Sequence, residues 1–204
     1  MTILGVLLAG GQALRMGGGD KGSILLGGRP MMEHIIERAQ TQVTTMIINA
    51  NGDVRRFQNY GLEVISDVIE GFAGPLAGVL TGMEWAEINA PKVEWVATFP
   101  SDAPYFPLDL VNRLTAAVVN GDAELACACS NGWSHPVFGI WPVNLADHLR
   151  HAMVNEKVRK IDDWTARYKL VEVEFSTEPF DPFFNVNTPE NLVEAEKILA
   201  LGKT

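Results

Sequence analysis

The chain has 204 residues, of which 47% are hydrophobic and 20% charged, and its formal net charge is −9. That length holds one large domain or two small ones with a real core. The acidic balance argues against a general nucleic-acid binder, although an acidic protein still binds an anion where its cations are focused in one cleft. No apolar run reaches the length of a membrane span. Met1-Thr2-Ile3-Leu4 has neither a basic n-region nor an A-x-A-like cleavage site, so no membrane segment and no signal peptide are expected.

Ile3 to Leu8 is a continuous apolar run, as expected of a strand buried on both faces of a parallel sheet. It runs into Ala9-Gly10-Gly11-Gln12-Ala13-Leu14-Arg15-Met16-Gly17-Gly18-Gly19-Asp20-Lys21, a loop with five glycines, one Arg and one Lys. Pro30 then opens a helical pattern with Met31, Ile35, Ile36 and Ala39 on one face. Thr44 to Ala50 reads as a second strand, followed by a short polar helix and a third strand at Leu62 to Ser66. A second glycine-rich turn, Gly71 to Gly78, leads into a helix from Leu76 to Asn89. Glu94 to Phe99 is a fourth strand, closed by Pro100-Ser101-Asp102-Ala103-Pro104. A helix is expected over Leu108 to Val119, a fifth strand over Glu124 to Ser130, and an antiparallel partner over Ser134 to Trp141. Asn144 to Ala152 and Val158 to Ala166 read as helices and Leu170 to Phe175 as a strand. Thr188 as N-cap and Pro189 at the first helical position start a last helix, with Leu192, Ala195, Ile198 and Leu199 on one face. Strands alternate with helices as far as Ser130, which predicts an α/β fold: a parallel sheet with helices on both faces. No linker, repeat or low-complexity tract divides the chain, so one domain over residues 1–204 is expected.

The glycine loop reads as a polyphosphate cradle. Glycine permits close backbone approach and positive φ, and successive N–H groups in such a loop form an anion-binding nest. Arg15 and Lys21 add positive charge. The P-loop pattern fails, because Asp20 precedes Lys21 and Gly22 follows it. Gly17-x-Gly19-x-x-Gly22 matches the dinucleotide fingerprint by letter only, since Ser23-Ile24-Leu25-Leu26 and a Gly27-Gly28 turn follow it rather than a helix. In open α/β sheets ligands bind outside the carboxyl ends of the strands, at the switch point. If the first and fourth strands are neighbours there, Asp102 faces Arg15 and Lys21 across the crevice. A carboxylate beside phosphates repels them unless a metal lies between, and Mg²⁺ takes one or two carboxylates plus phosphate oxygens. Asp102 is thus a candidate metal ligand; the other reading is a turn Asp ahead of Pro104. No protein nucleophile is visible. His148 and His151 sit on an expected surface helix, and His135, before Pro136 in a strand, is assigned to structure rather than catalysis. Cys127 and Cys129 read as buried reduced thiols of a cytoplasmic protein, with no second ligand pair at zinc-like spacing. A cradle, a metal and no nucleophile point to in-line transfer between two bound substrates.

Six segments, LAGG-x₃-RMG-x₂-DKG, NAN, GPLAGV, SDAP, HPVFGIW and NVNTPE-x-L, occur in this order between Leu8 and Leu192. Together they resemble the molybdenum cofactor guanylyltransferases, within the wider group of Rossmann-like nucleotidyltransferases. The resemblance implies a three-layer Rossmann-like, mostly parallel sheet with helices on both faces and an antiparallel strand. It implies transfer of GMP from Mg·GTP to the terminal phosphate of molybdopterin, with release of pyrophosphate. Leu8, Ala9 and Gly10 match the segment whose backbone meets the nucleotide, and Lys21 the phosphate-binding lysine. Asn49 and Asp67 match nucleotide-binding positions, Asp102 the magnesium ligand, and Asn185 and Asn187 an asparagine pair near the pterin. Molybdoenzymes or other cofactor-biosynthesis proteins are the further partners it implies. Two departures stand out: Ser101 replaces a common Cys, and Gln12-Ala13-Leu14 lacks a Ser or basic residue, which raises the weight on Arg15.

The chemistry of the residues agrees. A terminal phosphate monoester is largely dianionic at neutral pH, its second pKa being about 6, so it needs relief from repulsion rather than a general base. Mg²⁺ on Asp102, Lys21, Arg15 and the loop amides supply that relief. Asp67 or Asn49 is expected to read guanine, because a carboxylate accepts from the N1 and N2 donors; the alternative is that Asp67 binds only ribose. A cytidylyltransferase for the same cofactor, a sugar-phosphate nucleotidyltransferase and a non-catalytic nucleotide- or cofactor-binding chaperone are the competing functions. A chaperone has no need of Asp102.

Overall fold

A computed structural model of the chain describes residues 1–10, 23–71 and 74–202. The described strands are β1 (Ile3–Leu8), β2 (Leu25–Leu26), β3 (Arg29–Pro30), β4 (Thr45–Asn49), β5 (Glu63–Ile65), β6 (Trp95–Pro100), β7 (Leu125–Ser130), β8 (Trp133–Pro142) and β9 (Leu170–Phe175). The α-helices are α1 (Met31–Gln40), α2 (Pro75–Asn89), α3 (Leu110–Gly121), α4 (Ala146–Val154), α5 (Ile161–Thr165) and α6 (Pro189–Ala200), with 3₁₀ turns at Val54–Tyr60 and Val143–Leu145.

Seven strands form one sheet in the order β5-β4-β1-β6-β8-β7-β9. β1 pairs in parallel with β4 and with β6, β4 with β5, and β7 with β9; β8 runs antiparallel between β6 and β7. The expected α/β architecture with one antiparallel strand is what the chain adopts. β1 shows why the run was wholly apolar. Its side chains alternate between two cores: Ile3 and Leu7 face the layer of α1, α3 and α6, while Leu4 and Val6 face that of α2, α4 and α5. With both faces covered, each fully buried Leu or Val stabilises the fold by ~1.5–3 kcal/mol.

α2 lies unusually close to β1 and β4. Gly78 and Gly82, one turn apart, face the sheet. A Cβ on Gly78 would meet Leu8 Cδ2 at 2.3 Å and Asn49 Oδ1 at 2.5 Å; one on Gly82 would meet Val6 Cγ2 at 2.5 Å. The GPLAGV motif therefore contains a packing requirement as well as a turn.

Three local features differ from the sequence expectation. Pro30 is not the first helical residue of α1 but its N-cap, because it ends the small β2–β3 hairpin. That hairpin turns on Gly27 and Gly28, both at positive φ (59° and 78°), as a two-residue turn matching the strand twist requires. Its two-residue strands are too short to leave a periodic signal. The helix expected from Val158 to Ala166 is confined to Ile161–Thr165. Beyond α4, Lys157 takes φ 62° and the Val158 N–H turns back to the Ala152 carbonyl at 3.0 Å, so the chain reverses before α5 can begin. The final helix starts as its caps dictate, with Thr188 Oγ1 accepting from Asn191 N at 3.2 Å.

Candidate active site

Because β1 pairs with β6, Leu8 lies opposite Pro100, and the chain leaving β6 as Ser101-Asp102 runs beside the chain leaving β1. β4 on the other flank places Asn49 opposite Leu8. The carboxyl ends of β1, β4, β5 and β6 therefore open together onto a cavity of about 590 Å³, walled on its far side by the amino-terminal half of β8 and by Asn185. This is the crevice position expected for a ligand in an open α/β sheet.

One side of the cavity is a hydrogen-bonded set of three residues. Asn49, 6% exposed, donates from Nδ2 to the Ile65 carbonyl at 3.2 Å and to Asp67 Oδ1 at 2.9 Å. Asn51 donates from Nδ2 to Asp67 Oδ2 at 2.8 Å and accepts from the Asp67 N–H at 2.9 Å. Both Asp67 oxygens are thereby oriented, and each keeps a lone pair for a ligand. Asn51 was not among the residues selected from the sequence, although the NAN motif contains it. Its spacing from Asn49 puts it two positions past the strand, where it reaches the same carboxylate. Gly74 and Pro75 also line this side, bringing the amino terminus of the 15-residue α2 to the cavity with no side-chain cap. An uncapped helix start presents N–H groups and a partial positive charge to an anion.

The other side is tied together by one backbone bond: Val186 N donates to the Asp102 carbonyl at 2.7 Å. It docks the segment before α6 onto the end of β6 and brings Asn185 to the cavity beside Asp102. Leu8, Gly10, Asn49, Asp67, Asp102 and Asn185 thus meet at one site, residues that lie as far apart in sequence as 8 and 185. Two selected residues sit differently. Ala9 is buried, and its N–H is committed to the Asn49 carbonyl at 2.9 Å. Asn187 is not among the residues lining the cavity, and its N–H donates to Asn191 Oδ1 at 3.3 Å at the start of α6. Arg15 and Lys21, the two cations of the glycine loop, lie outside the described residues. His148 and His151 are exposed on α4 as expected. His135, assigned to structure from the sequence, stands on the cavity wall together with Pro136 and Phe138. Trp141 and Trp164 are buried in the α2 layer, whereas Trp133 is 74% exposed at the β7–β8 turn.

Among the described residues no group of three or more His, Cys, Asp or Glu could hold a metal by itself. The carboxylates that line the cavity, Asp67 and Asp102, fit a cation that arrives with a nucleotide, since Mg²⁺ takes one or two protein carboxylates and fills its shell with phosphate oxygens and water.

A Rossmann-like sheet with an acidic residue at the end of the central strand and an oriented Asn–Asp–Asn set beside it defines a nucleotide-handling α/β protein. Residues 5–170 match the family model of the MobA-like NTP transferase domain. The chain is 49% identical over 200 residues to the molybdenum cofactor guanylyltransferase of Bradyrhizobium sp. (strain ORS 278), covering 98% of this chain and 94% of that protein. It is 50% identical over 197 residues to the one of Nitrobacter hamburgensis, covering 97% and 94%. Among solved structures it is similar in fold to molybdopterin-guanine dinucleotide biosynthesis protein A from Archaeoglobus fulgidus, with TM-score 0.76, 20% identity, and 97% and 99% of the two chains covered. The chain belongs to the molybdenum cofactor guanylyltransferases, which are nucleotidyltransferases.

Proposed function

We propose that this chain, acting as one domain over residues 1–204 in the cytoplasm, transfers GMP from GTP to the terminal phosphate of molybdopterin with Mg²⁺ as its cation. A phosphate oxygen of molybdopterin attacks the α-phosphorus of GTP. The new P–O bond forms as the bond to the β-phosphate oxygen breaks, and pyrophosphate leaves with that electron pair. The attacking phosphate is already deprotonated, so no protein base takes part. The observation that carries the reading is that one cavity joins the Asn49–Asp67–Asn51 set to Asp102 and Asn185.

In this reading Asn49 and Asp67 hold the nucleoside, and the α2 amino terminus and backbone near Leu8 and Gly10 face its phosphates. Arg15 and Lys21 grip the triphosphate, and Asn185 and Asn187 serve the pterin side. Asp102 would hold Mg²⁺, which when bound neutralises phosphate charge between the two substrates. Catalysis then rests on alignment and charge stabilisation. Molybdoenzymes or other cofactor-biosynthesis proteins receive the product.

The test is pyrophosphate release by the purified chain with molybdopterin and either GTP, CTP or ATP, before and after chelation and with Mg²⁺ restored. GTP-selective, Mg²⁺-restored release is expected. Preference for CTP would make the chain a cytidylyltransferase, and undiminished release after chelation would end the metal role of Asp102.

A further inference from the structure

The transfer chemistry makes no use of His135, yet two separate segments, the end of β7 and residues 181–183, fix its ring. His135 Nε2 lies 2.7 Å from Ser130 Oγ, and Ser130 Oγ donates to Asp181 Oδ1 at 3.0 Å. A hydroxyl has one proton to give, and an ionised carboxylate only accepts. The Ser130 proton therefore goes to Asp181, and the Ser130 oxygen accepts from His135 Nε2–H. Asp181 is fixed in turn, its Oδ1 accepting from the Phe183 N–H at 3.0 Å. The Phe183 ring lies against the imidazole with centroids 4.7 Å apart.

The network has a direction. His135 lines the cavity, whereas Ser130, 1% exposed at the end of β7, does not, so the Nε2 edge of the imidazole is engaged by a residue set back from the cavity. Burial lowers the His135 pKa from its ordinary value, against the opposing pull of the Asp181 and Glu174 carboxylates. A neutral imidazole with its proton on Nε2 has an accepting lone pair on Nδ1. Among the described residues Nδ1 has no hydrogen-bond partner.

We propose that His135 is a specificity-determining residue on the acceptor side of the cavity: its Nδ1 accepts a hydrogen bond from an N–H of the bound pterin. Ser130 and Asp181 are positioning residues that set the tautomer. An accepting nitrogen backed by a carboxylate disfavours a phosphate, which has no proton to offer, and favours a heterocycle with ring N–H and amino donors. This rests on the acceptor assignment made under the proposed function.

Two measurements keep the inference separate from that assignment. Long-range ¹H–¹⁵N NMR of the ligand-free protein should show His135 protonated on Nε2 and bare on Nδ1, with Ser130→Ala mixing the tautomers. Protonated Nδ1 in the unsubstituted protein would overturn the proposal whatever the enzyme does. In turnover assays, His135→Phe keeps a ring against Phe183 and removes the acceptor. It should raise the KM for molybdopterin about tenfold, equivalent to ~1.4 kcal/mol, with the KM for GTP within twofold. His135→Asn, whose side-chain oxygen can replace the Nδ1 acceptor, should recover most of that loss. An unchanged molybdopterin KM in His135→Phe, or an equal rise for GTP, would refute the role. If the unsubstituted chain made no guanine dinucleotide, the proposed function would fall, while the NMR result would still stand or fall on its own.

Discussion

Gly78→Ala perturbs the packing of α2 and the Asn49 side of the cavity at once. In a helix interior the change from Gly to Ala is favourable by ~1 kcal/mol from propensity alone. Against that, the new Cβ would sit 2.3 Å from Leu8 Cδ2 and 2.5 Å from Asn49 Oδ1. Leu8 packs against the core beneath α2, and Asn49 is held by its bonds to Ile65 and Asp67. Overpacking of this kind costs ~1–3 kcal/mol. Pulling Asn49 off a carboxylate costs a further ~1.5–3 kcal/mol. The costs exceed the gain, and a net destabilisation of ~2 kcal/mol is expected, lowering Tm by roughly 4–8 °C for a chain of this size. Gly82→Ala is the matched comparison, because its Cβ would strike Val6 and Val96 rather than Asn49. Urea unfolding of both variants and GTP binding by calorimetry would decide the matter. Both variants should lose stability, and Gly78→Ala alone should also lose GTP affinity, by about tenfold. A Gly78→Ala protein as stable as the parent, or destabilised with GTP affinity intact, would refute the argument that α2 packing holds Asn49 in place.

Other expectations follow from the same geometry. Asp102→Ala should cut pyrophosphate release by on the order of 10³-fold, in line with loss of a major electrostatic element, while GTP still binds; retained turnover would remove Asp102 from the chemistry. Asp67→Asn should lower the GTP-over-CTP preference in competition assays, since one amide hydrogen would then face the Asn49 or Asn51 donor; equal losses for both nucleotides would place Asp67 on the ribose instead. Burial pushes the Cys127 thiol up to about 11, against a smaller opposing pull from its hydrogen bond with Ser134. At pH 8 its thiolate should be on the order of 100-fold scarcer than in the unfolded chain, so iodoacetamide should label it only after unfolding. The sign for stability follows: the folded pKa is the higher one, so the contribution of this thiol is intact below the unfolded value near 9.0 and is lost as pH rises through about 11.

Most of the fold was legible because its signals are local. Ile3–Leu8 is apolar throughout, as a strand buried on both faces must be, and Thr188-Pro189 starts α6 at the residue the capping chemistry specifies. The β2–β3 hairpin escaped notice because two residues per strand carry no period, and α5 was overextended because Lys157 adopts a left-handed conformation that its identity does not announce. In the site, Asp102 was legible from the switch-point rule alone, whereas Asn49 and Asp67 came only through resemblance. The placements of Asn51 and His135 depend on contacts with residues 16 positions away, or on a different strand and loop, and no spacing in the chain encodes these.

The sequence by itself determined the alternation of strand and helix, the glycine-rich stretch that carries Arg15 and Lys21, the carboxylate after the fourth strand of the main sheet, and membership in a family. These depend on side-chain period, backbone permissiveness and residue identity, all properties of neighbours along the chain. Only the tertiary structure decided that β8 is inserted antiparallel between β6 and β7, that the Val186 amide docks Asn185 beside Asp102, and that Ser130 and Asp181 orient His135 on the cavity wall. Those juxtapositions arise from the strand order and from a few long-range hydrogen bonds. They pair groups far apart in sequence, and their energies exist only once both cores have closed on the sheet.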